Sequence, residues 1–418
     1  MKASLARVAL PLMLGAALAG PVVAQQGAAP APAAAEAASG TEPSAAILEL
    51  RRRFLDPGFM ALAFHNMDGI FATQAVENGQ RSHALPRAER PLDFTYDVDG
   101  RPIPAEDVLE RTFTNALMIV RDGKVVYERY RNFTDERTRF TSMSMSKSIT
   151  SILIGIAVDQ GAIRSIDDQI TTYVPELKGT PYDGVTIRDA LEMKTGVDRS
   201  DGDQLKAGSE GAARREQILV RNALPAVDEA FMIRRKAEPG KTFDYSTLNV
   251  TILGWVLEKA TGQPITAFTS RHLWQPMGAE APAYWMADGP GAKGRPLTGM
   301  GYNATMRDYA RIGMMMLDQG RANGRQVVSR KWVSETTGGP HPAIAPGASR
   351  GYQFLWWTVP GMPAYMADGL AGQYIYIDPP TRTVIVKLSY VPLTSRQTGE
   401  ETSAFFRAAC AWAARQGR

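Results

Sequence analysis

The sequence is poor in the side chains that most often serve metal, redox or histidine-dependent chemistry. It contains one cysteine, Cys410, so no disulfide can form within the chain. That cysteine lies in "FFRAACAWAARQ", a helix-like stretch in which a buried structural thiol is expected. Only four histidines occur, His65, His83, His272 and His341, and they are scattered. There is no His-Glu-x-x-His pair, no cysteine cluster suggesting zinc, and no glycine-rich phosphate loop. A Gly-x-Ser-x-Gly elbow is missing too, since "AGSEG" at 207–211 lacks its first glycine. No metal and no cofactor is expected from this inventory.

Long apolar runs are confined to the start. The chain opens "MKASLARVALPLMLGAALAGPVVAQQ", with Lys2 and Arg7 ahead of an apolar segment too short to span a bilayer, and small residues before Ala24. Residues 1–24 therefore read as an export signal. No cysteine follows to take a lipid, so a periplasmic or secreted protein without a membrane anchor is expected. The next stretch, "QQGAAPAPAAAEAASGTEPSAA", offers almost nothing to bury, and residues 25–47 read as a disordered tether. A single-sign charge excess is also lacking. The net charge is +4, part of it in the signal, and "RRR" at 51–53 and "IRRK" at 233–236 are short and separate. A solvated surface explains them better than a nucleic-acid groove. The oligomeric state is left open.

What is present is a globular chain, 44% hydrophobic and 22% charged. Residues 48–104 form an N-terminal extension without clear periodicity. In "NALMIVRDGKVVYERY", two β-rich runs flank Asp122-Gly123, a strong hairpin turn. A helix is expected from about Ser144, with Ile149, Ile152, Leu153 and Ile156 on one face and Gly161 as its stop. Helices and loops fill much of 171–290. Later come helical "RDYARIGMMMLDQG", strand-like "QYIYID" and "TVIVKLSY", and a final helix. Strands near both ends with helices between them predict an α+β fold: an antiparallel sheet flanked by helices, with an inserted helical subdomain.

The chemistry centres on "TSMSMSKSIT", residues 141–150. Residues three apart share a helix face, so of its serines only Ser144 is placed to meet Lys147. Ser144 also falls in the first turn, where free N–H groups and the helix dipole favour developing negative charge. Lys147 can act as a base only when neutral, which requires burial to lower its pKa from about 10.4 at a cost of about 4 kcal/mol. Ser-x-x-Lys alone is a common accident.

Further motifs follow in order. "PGKTFDYSTLNVTILGWVLEKATG" occupies 239–262, and "LWQPMGAEAPAYWMAD" and "TGMGYNATMRDYARIGMMML" come after it. With Ser-x-x-Lys they resemble the serine β-lactamases and penicillin-binding proteins of the class C type, and most of all the 6-aminohexanoate-dimer hydrolase-like branch. The resemblance spans nearly all of the mature chain and makes 105–418 the hydrolase domain. It implies an amidase or carboxylesterase acting on a small amide or ester through an acyl-enzyme on Ser144, with Lys147 and Tyr245 sharing proton transfer. Tyr245 could be phenolate or phenol. Thr247 stands where the family more often has Asn, and Asn249 is a further candidate substrate contact. Arg307 and Asp308 are expected to be scaffold. "KTG" at 194–196 lies too early to be the family's third motif. The resemblance instead aligns Leu370-Ala371-Gly372 with that motif and implies that the N–H groups of Ser144 and Gln373 form the oxyanion hole, with Gly372 beside them. A β-lactamase or D,D-peptidase, or a sensor that stays acylated at Ser144, are the alternatives on this fold.

Overall fold

Asp122 and Gly123 both take left-handed backbone angles, φ 46° and 75°. That twist suits a two-residue hairpin, and it joins strands Thr114–Arg121 and Lys124–Tyr130 in antiparallel register. The computed structural model describes residues 42–338, 343–395 and 397–416. The export signal, the tether as far as residue 41, and His341 lie outside the described residues.

The hairpin forms one edge of a seven-stranded antiparallel sheet. From the opposite edge the order is Gly351–Gln353, Trp356–Thr358, Tyr365–Gly369, Gln373–Asp378, Thr383–Ser389, Thr114–Arg121 and Lys124–Tyr130. Alternate residues go to opposite faces, and both faces are covered. Met118, Val120, Val384 and Val386 pack with Ile149, Ile152 and Leu153 of helix Met145–Asp159. Leu117, Ile119 and Ile385 pack with Phe405, Phe406 and Trp412 of the final helix, Thr398–Arg415. Two covered faces explain why these strands read as nearly continuous apolar runs. Cys410 is buried on the final helix, where burial pushes its thiol up.

Helix Met145–Asp159 packs against helix Thr247–Thr261, which rises from the helical region after residue 170. A four-stranded sheet, in the order Thr73–Val76, Ala283–Met286, Tyr302–Thr305 and Arg139–Thr141, leads the chain into Ser144. One expectation is corrected here, and one region left unplaced gains its elements. The tether does not run to residue 47, because helix Ala45–Arg53 starts earlier, with the Ser44 hydroxyl accepting from the Ile47 N–H. The 48–104 extension has defined elements, and its strand Thr73–Val76 pairs with Ala283–Met286. Arg307 and Asp308 are scaffold groups. Arg307 makes paired 2.8 Å bonds to Glu128, while Asp308 accepts from the N–H groups of Glu280 and Ala281.

Candidate active site

The chain leaves strand Arg139–Thr141 and turns at once into helix Met145–Asp159. The turn forces Met143 to a left-handed φ of 45°. Such a conformation costs a bulky residue about 1–3 kcal/mol and persists only where surrounding bonds over-determine it. Those bonds are Ser142 N–H to Tyr302 O at 2.8 Å, Met145 N–H to Ser142 O at 3.0 Å, and Tyr302 N–H to Ser146 Oγ at 2.9 Å. The other serines of the stretch are occupied: Ser142 and Ser146 hydroxyls lie 2.6 Å apart, and Ser148 donates to Leu355 O at 2.7 Å. Ser144 sits at the N-cap position, yet its hydroxyl caps nothing. Its Oγ is instead 3.0 Å from Lys147 Nζ.

Lys147 is fully buried, and its amine has two more partners, Thr247 Oγ1 at 2.8 Å and Gly299 O at 2.8 Å. Burial pulls it down to about 8; Asp201, 3.9 Å away, works against that shift, and Arg199 adds to it. Thr247 donates its hydroxyl proton to Asp201 Oδ2 at 2.6 Å, and its N–H binds Asp201 Oδ1 at 2.8 Å. Arg199 pairs with the same carboxylate. Burial alone would raise Asp201, but Lys147, Arg199 and Thr247 outweigh it and hold the carboxyl below its usual range. Asp201 escaped the sequence reading because nothing in its local sequence ties it to Lys147; Thr247 was visible only as a departure from the family pattern.

Tyr245 precedes helix Thr247–Thr261 and brings its ring beneath Lys147 Nζ, 4.8 Å from the centroid. It stacks on Trp357 at 5.6 Å and meets Tyr352 edge-on at 6.0 Å. Burial drives the phenol well above its ordinary range, and its contact with the Ser144 hydroxyl offsets only part of this. Of the two protonation states left open by the sequence, the neutral phenol fits this environment.

Ser144, Tyr245, Thr247 and Asp201 line one cavity of about 410 Å³. Phe54, Leu55, Leu219, Met300, Trp357 and Leu370 supply apolar wall, and Arg215 and Asp368 also face it. Trp285 and Trp356, by contrast, are core residues. Two residues thus come from the N-terminal extension, whose sequence suggested no role.

Asn249 does not reach this cavity. It is wholly buried, and its side-chain oxygen accepts from Tyr182 at 2.8 Å and Thr195 at 3.0 Å. It sits two residues past Thr247 on the helix, which turns it to the core side. The Thr195 bond also accounts for the "KTG" at 194–196, which lies outside the cavity lining.

The third-motif alignment is shifted as well. The strand beside Ser144 is Tyr365–Gly369, and Gly369 makes the contact. A Cβ there would stand 2.3 Å from Ser142 O and 3.1 Å from Ser144 N. The abutting residues are therefore Asp368, Gly369 and Leu370. Gly372, at φ 86°, packs against Ser389 and Val391 and lines a different cavity. The Gln373 side chain is buried and donates to Ser389 O at 2.7 Å and Ala371 O at 3.1 Å. A repeated glycine in "DGLAGQ" made the two alignments look alike in sequence. Among the described residues, neither the Ser144 N–H nor the Leu370 N–H has a protein acceptor. Asp368 is bound by Arg350; burial raises its carboxyl and Arg350 partly restores it.

A covered antiparallel sheet with a buried Ser-x-x-Lys pair and a tyrosine beside it defines a class, the serine hydrolases of β-lactamase type. Residues 108–403 match the Beta-lactamase family model, and the chain belongs to that family. It is 32% identical over 346 residues to a 6-aminohexanoate-dimer hydrolase of Paenarthrobacter ureafaciens, covering 79% of this chain and 85% of that one. It is also 30% identical over 188 residues to esterase EstB of Burkholderia gladioli, covering 40% and 46% of the two chains. A solved Bacillus anthracis structure, described as a 6-aminohexanoate-dimer hydrolase, superposes with a TM-score of 0.79 at 25% identity, over 88% of this chain and 98% of that one. The protein is a serine hydrolase of the amidase and esterase type.

Proposed function

We propose that the protein hydrolyses small linear amides or esters through an acyl-enzyme on Ser144. The observation that carries this reading is the set of partners around the Lys147 amine. Thr247 spends its own proton on Asp201 and Gly299 O can only accept, so both must receive hydrogens from Lys147. A neutral amine has two hydrogens to give, and its lone pair is then left for the third neighbour, the Ser144 hydroxyl. Burial favours that neutral form.

In this mechanism Ser144 Oγ attacks the substrate carbonyl while its proton passes to Lys147. The charge on the carbonyl oxygen is met by the N–H groups of Ser144 and Leu370. Tyr245 gives its phenol proton to the leaving nitrogen or oxygen, and the acyl-enzyme forms. A water molecule then attacks the ester carbonyl and returns a proton to the Tyr245 oxygen. Lys147 hands its proton back to Ser144 Oγ as the acid product leaves. Every group ends in its starting state.

The test compares p-nitrophenyl butyrate, a linear amide and nitrocefin. By the family resemblance, a cation of the third motif meets the β-lactam carboxylate. Here that place holds Ala367, Asp368 and Gly369, and the acidic member lines the cavity. Nitrocefin is expected to be the poorest of the three. Ser144→Ala abolishes turnover and labelling by a serine-directed probe, whereas Ser146→Ala keeps probe labelling and loses stability instead. Efficient nitrocefin hydrolysis, or a persistent adduct with no turnover of any substrate, would sink the reading.

A further inference from the structure

Part of the cavity wall comes from a region dense in arginine, and nearly all of that charge is spent. Arg199 pairs with Asp201 and with Glu229 at 3.1 Å; Arg214 reaches the same Glu229 at 2.9 Å. Arg52 and Arg221 both hold Glu216, at 2.7 and 2.9 Å. Arg51 is committed to the carbonyls of Ile70 and Val220, at 2.7 and 2.8 Å. Arg215 differs. It is half-buried and lines the same cavity as Ser144, yet among the described residues it forms no ion pair and no hydrogen bond. The adjacent carboxylate, Glu216, is taken by its two other arginines.

The Arg215 guanidinium lies 5.6 Å from the ring centroid of Phe54, itself a cavity wall. Phe54, Leu55 and Leu219, which line the same cavity, cannot replace the water that burial strips from a cation. The two acids of the cavity already have partners, Asp201 with Arg199 and Thr247, Asp368 with Arg350. The uncompensated side-chain charge facing the substrate space is therefore positive and localised at Arg215. A guanidinium presents its donors in a planar fork that matches a carboxylate.

We propose that Arg215 is an anion subsite of this active site and that the preferred substrates carry a carboxylate remote from the scissile carbonyl. The inference rests on the acyl-enzyme reading above and narrows its substrate class. Phe54 and Leu55, from the N-terminal extension, then wall the substrate's methylene chain. The position differs from that of the family's third motif, so a remote carboxylate is accepted where a β-lactam carboxylate is not.

Two matched ester pairs test this. One carries the charge on the acyl part: the p-nitrophenyl half ester of suberic acid against the same ester with its far carboxyl methylated. The other carries it on the leaving part: the butyryl ester of 4-hydroxybutyrate against its primary amide. In at least one pair the wild type is expected to favour the free carboxylate by about 10- to 100-fold in kcat/KM. The gain should lie mainly in KM, because a remote contact is made equally in ground and transition states. Arg215→Met brings the charged-to-neutral ratio near one, and Arg215→Lys leaves it intermediate. Added salt lowers the wild-type ratio, a readout that needs no variant. A ratio near one in both pairs, a salt-independent ratio, or a ratio unchanged in Arg215→Met would each overturn the proposal. Failure of the neutral esters to react at all, or their hydrolysis by Ser144→Ala, would instead strike the acyl-enzyme reading beneath it.

Discussion

Lys147 lies on one helix and Tyr245 just ahead of another, yet burial acts on them in opposite senses. Desolvation disfavours the charged form of each, so it lowers the lysine and raises the phenol. Both shifts suit the base and acid roles proposed for the pair. With Lys147 lowered to about 8, kcat/KM is expected to rise through that pH as the amine becomes neutral, then to level off. No falling limb should appear below the ordinary phenol range, since Tyr245 is displaced upward. Tyr245→Phe should cost at least about 100-fold in rate, the scale of a general acid. A pH-rate profile with its limb near the unperturbed lysine value, or near-normal rates in Tyr245→Phe, would contradict these assignments.

At the scale of elements, the site is a junction. A strand end, Arg139–Thr141, feeds the helix that begins after Ser144 through the strained Met143, and a strand from the large sheet closes on the same turn through Gly369. That closeness leaves no room for a side chain. Gly369→Ala would put a methyl group 2.3 Å from Ser142 O, so the strand or the turn must shift. Under the proposed mechanism, displacing the Leu370 N–H removes an oxyanion donor, a loss on the order of 100-fold or more in kcat. KM should change less, and thermal melting should show a protein that still folds. A variant with unaltered kcat would remove Leu370 from the oxyanion role. The local elements were legible: the Asp122-Gly123 hairpin, the apolar run after Ser144 and the strands "QYIYID" and "TVIVKLSY" all have strong periodicity or turn chemistry. Gln373 and Gly372 were misplaced because "DGLAGQ" presents two glycines, and only close approach to Ser144 N tells which one abuts Ser144. Asn249 misled for a similar reason, since its number in the motif does not show which way the helix faces.

For the whole molecule, the large sheet carries an unusual load. Lys387, on the fully buried strand Thr383–Ser389, has its amine on Ser389 Oγ at 2.6 Å and Thr112 O at 3.2 Å. Burial lowers it to about 7, with Glu401 acting against the shift. Its folded value thus lies below its unfolded value of about 10.4. Below pH 7 both states hold the proton, and the buried charge weakens the fold by a constant amount. Between about 7 and about 10 the unfolded chain binds more protons, so stability rises with pH. Lys387→Met is expected to flatten that rise and to be at least as stable as wild type at pH 6 in urea unfolding, a buried charge having been exchanged for an apolar chain of similar length. An unchanged slope would mean that Lys387 does not titrate there.

Some properties of this protein follow from the order of its residues alone. Ser144 and Lys147 share a face because they are three apart on a helix; Asp122-Gly123 turns because its backbone tolerates positive φ; and the apolar strands demand cover on both sides. These are short-range consequences of geometry and of the cost of exposing apolar surface. What the tertiary structure decided is long-range. The Lys147 amine is held out of water because Thr247 and Gly299, about 100 and 150 residues away, enclose it and accept its hydrogens. Asp201 joins them, Gly369 rather than Gly372 closes the turn, and Phe54 and Leu55 complete the cavity wall. Desolvation and hydrogen bonding depend on which groups are brought within a few ångströms, and sequence neighbours do not specify that.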